Sequence, residues 1–470
     1  MWSFIEESLV SFRKYFSRTA AFSWFCILVI GIIIRSDHLG VTSVIRDLNL
    51  ADSCYENLIH FFRSSAFSLD DLADHWYAYV NSLFCAYLYR NERLVFIIDG
   101  VKQSKEGHYM PGVKKLANDS DTQSKPQTMH GHMAGMLSLL IGNAEKMAAL
   151  PLKMTIQDGV RAMSRWAGSG VSGESHIVQM FQMTSDAVVK FAKPAIVLAD
   201  RLFLTAAAIE VIIQHNLKNK HKLHLVTKCK KNVVAYMKPE KKKGRGRPRK
   251  KGKAIHLNRL FDHVKWFRQK TMTLYGKQTV VRYCCVNLLW GVGRYYELRF
   301  VLVAYDNVTS ILATTDLTMD PEDVIALYAF RFRIEHLFRS LKQFYGGFAY
   351  HFWTKAMPRL NRYKKKGDPD PLTLVTDLKD RARIIAALRA TEVYMFICMA
   401  AIGITMILSI RYEIDTKNLR YQRTPAKSKP SEENVQYCLR KEFPLFLAKQ
   451  SESGINRIIL SIQHTTVSQS

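Results

Sequence analysis

The chain has 470 residues, enough for two to four domains, and 48% of them are hydrophobic, which excludes a globally disordered protein. Its 68 lysines and arginines against 40 acidic residues give a net charge of +28, pointing to a polyanionic partner, nucleic acid before a membrane surface. The eight cysteines form no CxxC pair and no zinc-ligand spacing, which excludes a structural finger and fits a reducing cytoplasm.

Residues 1–90 are predicted to form a helical N-terminal domain, rich in aromatics and free of proline. Within it, 42–63 read as two short helices joined near Asn49–Asp52, with Thr42 or Ser43 and Asp52 or Ser53 as N-caps. That pattern suits a helix-turn-helix whose second helix carries Tyr55, Asn57, His60 and Arg63, and equally an ordinary helical hairpin. Residues 20–34 are apolar but fifteen long, short of the roughly 20 a spanning helix needs. Residues 393–410 reach eighteen. Both are read as buried core helices, and no membrane association is expected.

From residue 94 the pattern changes. LVFIID (94–99) is a continuous apolar run closed by Asp99, which predicts a strand buried on both faces, followed by a polar stretch of about thirty residues. Further strands are expected at 132–141 and 149–156, a helix at 176–191, and a second apolar strand at 194–200 that ends in Asp200 and leads into a helix. These make residues 91–220 the first part of an α/β core. Residues 221–318 read as a mostly β insertion, with strands at 223–227, 279–289, 297–305 and 310–315 around the basic run 241–253. After Pro321 a helix continues to about residue 346, and a long helix spans 377–411, so that 319–412 completes the core. Residues 413–470 form a C-terminal region whose Ser/Thr/Gln-rich tail is expected to be disordered.

The sharpest chemical feature lies in YAFRFRIEHLFRSLK (328–342). On a continuous helix Tyr328, Arg331, Glu335 and Lys342 fall within about 60° of one another, opposite an apolar stripe of Leu327, Phe330, Ile334, Leu337, Phe338 and Leu341. Arg–Glu and Glu–Lys spacings also occur on plain solvated helices, where each is worth only a few tenths of a kcal/mol. Asp99 and Asp200, each read at the end of a buried strand, add two carboxylates. Together with Glu335 they supply three hard oxygen ligands of the kind Mg²⁺ takes. Arg331 and Lys342 are suited to holding phosphate, and Tyr328 to hydrogen-bonding a neighbouring one.

The spacing Y-x2-R-x3-E-x6-K at Tyr328, Arg331, Glu335 and Lys342 resembles the YREK signature of the DDE insertion-sequence transposases. Asp99 in FIIDG and Asp200 in VLADRLF are similar to that family's two aspartates. The resemblance implies an RNase H-like mixed sheet with flanking helices, a mostly β insertion before the glutamate helix and an all-α N-terminal domain. It also implies catalysis by Asp99, Asp200 and Glu335 around Mg²⁺ (or Mn²⁺), with cleavage at the element's ends and strand transfer into target DNA. The partners it implies are the terminal inverted repeats, target DNA and a second copy of the chain in a dimeric synaptic complex, within a cytoplasmic, nucleoid-associated setting. The family's hairpin step relies on an aromatic, for which Trp290 is a candidate although a core role is open to it too.

Arg245-Gly246-Arg247-Pro248 matches the RGRP core of an AT-hook, whose arginines enter a narrow minor groove, and equally suits a solvated basic loop touching phosphates. His108, His130 and His132 lack a Cys or acidic partner at ligand spacing and are read as polar strand or site-adjacent residues. Two alternatives remain beside the transposase: a related metal-dependent nuclease without strand transfer, and a non-enzymatic DNA-binding protein derived from a transposase.

Overall fold

The computed structural model describes residues 1–37, 40–84, 92–118, 126–143, 146–240, 248–361, 363, 367–412, 429–449 and 454–463. Three short parallel strands form its centre: β1 (Leu94–Ser104), β5 (Ala195–Ala199) and β6 (Leu223–Lys228). Between β1 and β5 the chain lays down β2 (Lys114–Ala117), β3 (Thr128–Gly142) and β4 (Met147–Ile156), antiparallel on the β1 side. Parallel neighbours need a crossover, and here helices supply it. Helix α6 (His176–Phe191) precedes β5, and α7 (Ala206–Lys218) lies between β5 and β6. Each starts on a hydroxyl cap, Ser175 accepting from the Val178 N–H and Thr205 from the Ala208 N–H.

On its other side β6 pairs with β12 (Val308–Thr314), so the insertion prolongs the same sheet. The insertion also comprises β7 (Val234–Tyr236), β8 (Ala254–His256), β9 (Arg268–Leu274), β10 (Lys277–Trp290) and β11 (Tyr296–Tyr305). The sheet order is β2-β3-β1-β5-β6-β12-β11-β10-β7-β8, with β4 on β3 and β9 on β10. The strand expected at 223–227 therefore belongs to the central parallel trio. A small core of Cys229, Val233, Leu257, Leu298, Phe300 and neighbours sits under the insertion alone.

The N-terminal helices are α1 (Trp2–Val10), α2 (Thr19–Ile34), α3 (Val41–Asp47), α4 (Cys54–Phe61) and α5 (Leu69–Phe84). They share one continuous core with the sheet and with the C-terminal helices α10 (Leu378–Arg411), α11 (Glu432–Lys449) and α12 (Gly454–Leu460). Among the described residues α10 is the one helix long and apolar enough to cross a membrane, yet its apolar stretch is wholly buried, against β4, α2 and α11. The core-helix reading of 20–34 and 393–410 therefore holds. Gly403 allows the closest approach on α10: a Cβ there would lie 2.6 Å from the Trp76 ring, whose indole N–H donates to the Pro151 carbonyl at 2.9 Å.

Two expectations need correction. β1 does not stop at Asp99 but runs on to Ser104, because the long strand β3 offers hydrogen-bonding partners throughout, Asp99 lying opposite Met136 and Ser104 opposite Gly131. The polar stretch after it is correspondingly shorter and contains β2. The single helix expected from Pro321 is two helices, α8 (Pro321–Tyr328) and α9 (Arg333–Gln343), with a tight turn between them. The expected tail lies outside the described residues beyond residue 463.

Candidate active site

β1 and β5 pair in parallel from Leu94↔Ala195 to Ile97↔Leu198. Carried two residues further, that register sets Asp99 beside Asp200, just where β5 ends and the sheet opens. Asp200 starts the short turn Arg201–Phe203, and its carbonyl accepts from the Thr227 hydroxyl of β6 at 3.0 Å. Thr227, fully buried, thus fixes the end of β5 from the neighbouring strand.

Glu335 arrives from α9, whose buried face of Ile334, Leu337, Phe338 and Leu341 holds it against the core. Through residues 329–332 the backbone tightens to i→i+3 bonds: Arg331 donates to the Tyr328 carbonyl at 3.1 Å and Arg333 to that of Phe330 at 2.9 Å. Tyr328 and Arg331 therefore do not share a continuous helix with Glu335 and Lys342, and the one-face geometry gives way to a bent one. The bend carries Arg331 into the carboxylates. Its Nη1 donates to Asp99 Oδ2 at 3.1 Å and its Nη2 to Glu335 Oε1, so one guanidinium links two of the three acids. The Gly100 N–H donates to the other Asp99 oxygen, Oδ1, at 2.8 Å.

Electrostatics bind the group together. Burial pushes the Asp99 carboxyl up to about 6; Arg331 and the Gly100 N–H oppose that, while the charges of Asp200 and Glu335 add to it. Burial also raises the Tyr328 phenol, with Arg331 opposing and Asp200, Tyr275 and Asp99 adding, so this ring lies within the field of both aspartates. Tyr275 was not singled out in the sequence. It occupies the two-residue tip of the β9–β10 hairpin with Gly276, both at positive φ, and feels Tyr305, Arg331 and Glu335. The insertion thus brings an exposed tyrosine within the field of Arg331 and Glu335. Lys342 lies apart from them, exposed at the far end of α9 with its amine 5.8 Å from the centre of the Phe348 ring.

The remaining candidates fall elsewhere. Arg245 and Arg247 lie outside the described residues. Trp290 is half-buried against the insertion core, which is a packing role. His132 is buried, bonded to the Tyr350 hydroxyl at 2.8 Å and the Pro111 carbonyl at 2.9 Å, and burial lowers its pKa to about 4. His108 bonds the Leu360 carbonyl through Nδ1 at 3.2 Å. The histidines therefore do not gather into a metal site.

Three carboxylates from three elements are a hard-oxygen donor set, and the raised pKa of Asp99 comes first from burial of its charge, to which the charges of Asp200 and Glu335 add. Among the described residues no three acidic, histidine or cysteine side chains stand close enough to hold an ion as they are placed. Arg331 supplies the positive charge between Asp99 and Glu335 instead.

Residues 169–354 match the family model described as a transposase DDE domain. The matched segment contains Asp200, Tyr328, Arg331, Glu335 and Lys342 and begins after Asp99. No curated protein and no solved structure matches the chain. Its mixed sheet with flanking helices is the RNase H-like arrangement expected of such a domain. The central part of the chain, residues 169–354, is therefore similar to a transposase DDE domain.

Proposed function

We propose that the protein cuts DNA at the ends of an insertion sequence and joins those ends to target DNA, using Asp99, Asp200 and Glu335 to hold Mg²⁺ or Mn²⁺. One observation carries this reading: a single guanidinium ties Asp99 to Glu335 beside the strand end that bears Asp200. Transposases of this family generally work with divalent metal ions. Bound between these oxygens, such ions would supply Lewis acidity to the scissile phosphate and activate a water or a 3′-hydroxyl.

The chain's own groups do the rest. Arg331 and Tyr328 hold the phosphates next to the scissile bond, Lys342 holds one further along the strand, and the partly shielded position of Asp99 strengthens every charge interaction made there. Exposed Arg268 and Lys277, on one face of the β9–β10 hairpin, extend a basic track along which the DNA backbone lies. The N-terminal helices engage the terminal inverted repeats, and two copies of the chain assemble with two ends in a synaptic complex.

The test is to incubate purified protein with Mg²⁺ and its own element ends, beside Asp99→Ala, Asp200→Ala and Glu335→Ala variants. Loss of cleavage in each variant, with joined products from the wild type, is expected. Cleavage that survives all three substitutions would remove the assignment, and cleavage without joining would favour a nuclease.

A further inference from the structure

Away from the carboxylates, a cleft of about 750 Å³ opens between α3, α4 and the segment 349–355 that follows the glutamate helix. Its walls carry two large aromatic rings held open to solvent, Tyr55 (43% exposed) and Trp353 (52% exposed), although aromatic rings of this size are usually covered. Arg63 and Lys355, both exposed, line the same cleft, with Glu56 as the one acid among the described residues.

The cleft is built, not a gap between loose segments. Arg63 Nη2 donates to the Trp353 carbonyl at 3.4 Å, linking the two walls, and the Thr354 N–H donates to the Tyr109 carbonyl at 3.2 Å. Beneath lies an aromatic floor in which Phe62 meets Phe352 at 5.0 Å and Tyr394 at 5.8 Å between ring centres. The buried Lys105 amine donates to the Phe348 and Tyr350 carbonyls at 2.5 and 2.8 Å, fixing the start of the wall.

We infer that this cleft binds one or two unpaired nucleotides of a DNA strand, bases on Trp353 and Tyr55 and phosphates on Arg63 and Lys355. Exposed flat rings beside cations are the working parts of single-strand platforms, where rings take any base face and cations follow the backbone. The volume falls within the roughly 300–1,000 Å³ of sites that enclose a compact ligand, too small for a duplex. The same face of α4 was open to reading as a duplex-recognition face; walled in by 349–355, Tyr55 and Arg63 instead meet a narrow slot. Because that wall continues directly from α9, a frayed or displaced strand held here is tethered to the element that carries Glu335.

This inference rests on the reading of the protein as one that acts on DNA, and the test separates the two. Fluorescence anisotropy would measure binding of a short labelled oligodeoxythymidylate and of a blunt duplex to the full chain at one moderate ionic strength without metal. Trp353→Ala is expected to weaken the oligonucleotide about ten-fold, as loss of one stacked base does, and to leave the duplex within about two-fold. Tyr55→Ala and the double Arg63→Ala, Lys355→Ala variant should act likewise, and Trp353→Phe should restore binding. All four side chains are exposed, so unchanged melting temperatures would certify the variants as folded. Oligonucleotide affinity unmoved by Trp353→Ala, or duplex affinity falling equally, would overturn the cleft and leave the DNA reading standing. A wild-type chain that binds neither probe would overturn both.

Discussion

Replacing Asp99 by asparagine should make the protein more stable and abolish its chemistry. Its carboxyl sits at about 6 against an ordinary 3.8, and its side chain is 23% exposed, so little of the shift is screened by solvent. At 1.36 kcal/mol per unit, ionised Asp99 destabilises the fold by about 3 kcal/mol at most, with the favourable pull of Arg331 already included. The sign follows from the direction of the shift. Below the unfolded value both states are protonated and no penalty exists. The penalty grows as pH rises between the unfolded and folded values, and it is complete above the folded one. Asp99→Asn removes the ionisation and keeps the shape, so in metal-free buffer it should melt several degrees above wild type near pH 7.5. Most of that gap should close by about pH 4, where only a few tenths of a kcal/mol remain. Differential scanning calorimetry across this range is the assay. A variant melting below wild type near neutrality, or a gap that does not change with pH, would refute the electrostatic account of the site.

Arg331→Ala should destabilise by on the order of 2 kcal/mol in urea titrations, because it strands the shielded Asp99 charge, while the 45%-exposed Glu335 adds little; Arg331→Lys should recover part of it. Millimolar Mg²⁺ should raise the melting temperature of wild type and not of a variant with Asp99, Asp200 and Glu335 all changed to alanine, and an equal rise in both would count against those ligands. Gly403→Ala places a Cβ 2.6 Å from the Trp76 ring and should cost about 1–3 kcal/mol in the same urea titrations, with an unchanged midpoint contradicting the packing described for α10.

How far the sequence disclosed this arrangement depends on what each segment's neighbours were. LVFIID and PAIVLAD announced themselves because strands buried on both faces need unbroken apolar runs, and the helix at 176–191 was legible from a periodic apolar face. Strand β9 was not legible: five of its first six residues are exposed, so no alternation marks it, and only its pairing with β10 makes it a strand. The same holds for Lys102–Ser104, polar residues that extend β1 because β3 lies beside them. The N-terminal helices were readable as helices, but nothing in their own pattern told that α2 would be buried against α10 and α11, more than 300 residues away.

The break between α8 and α9 is the instructive miss, since it falls on the motif itself. The apolar positions keep helical spacing straight through residues 328–335, so periodicity alone cannot reveal the turn. Its consequence is chemical. Arg331 and Glu335 are paired at i,i+4 as a helix would pair them, but the tightened turn also brings the Arg331 guanidinium to Asp99 on β1. Glu335 and Asp200 lie where their own segments were expected to put them, on a helix and at a strand end. Arg331 acquires a second role, as counter-ion to a strand 232 positions away, that only the assembled fold can assign. Regular helix is given up here where the turn lets one guanidinium reach both Asp99 on β1 and Glu335 on α9.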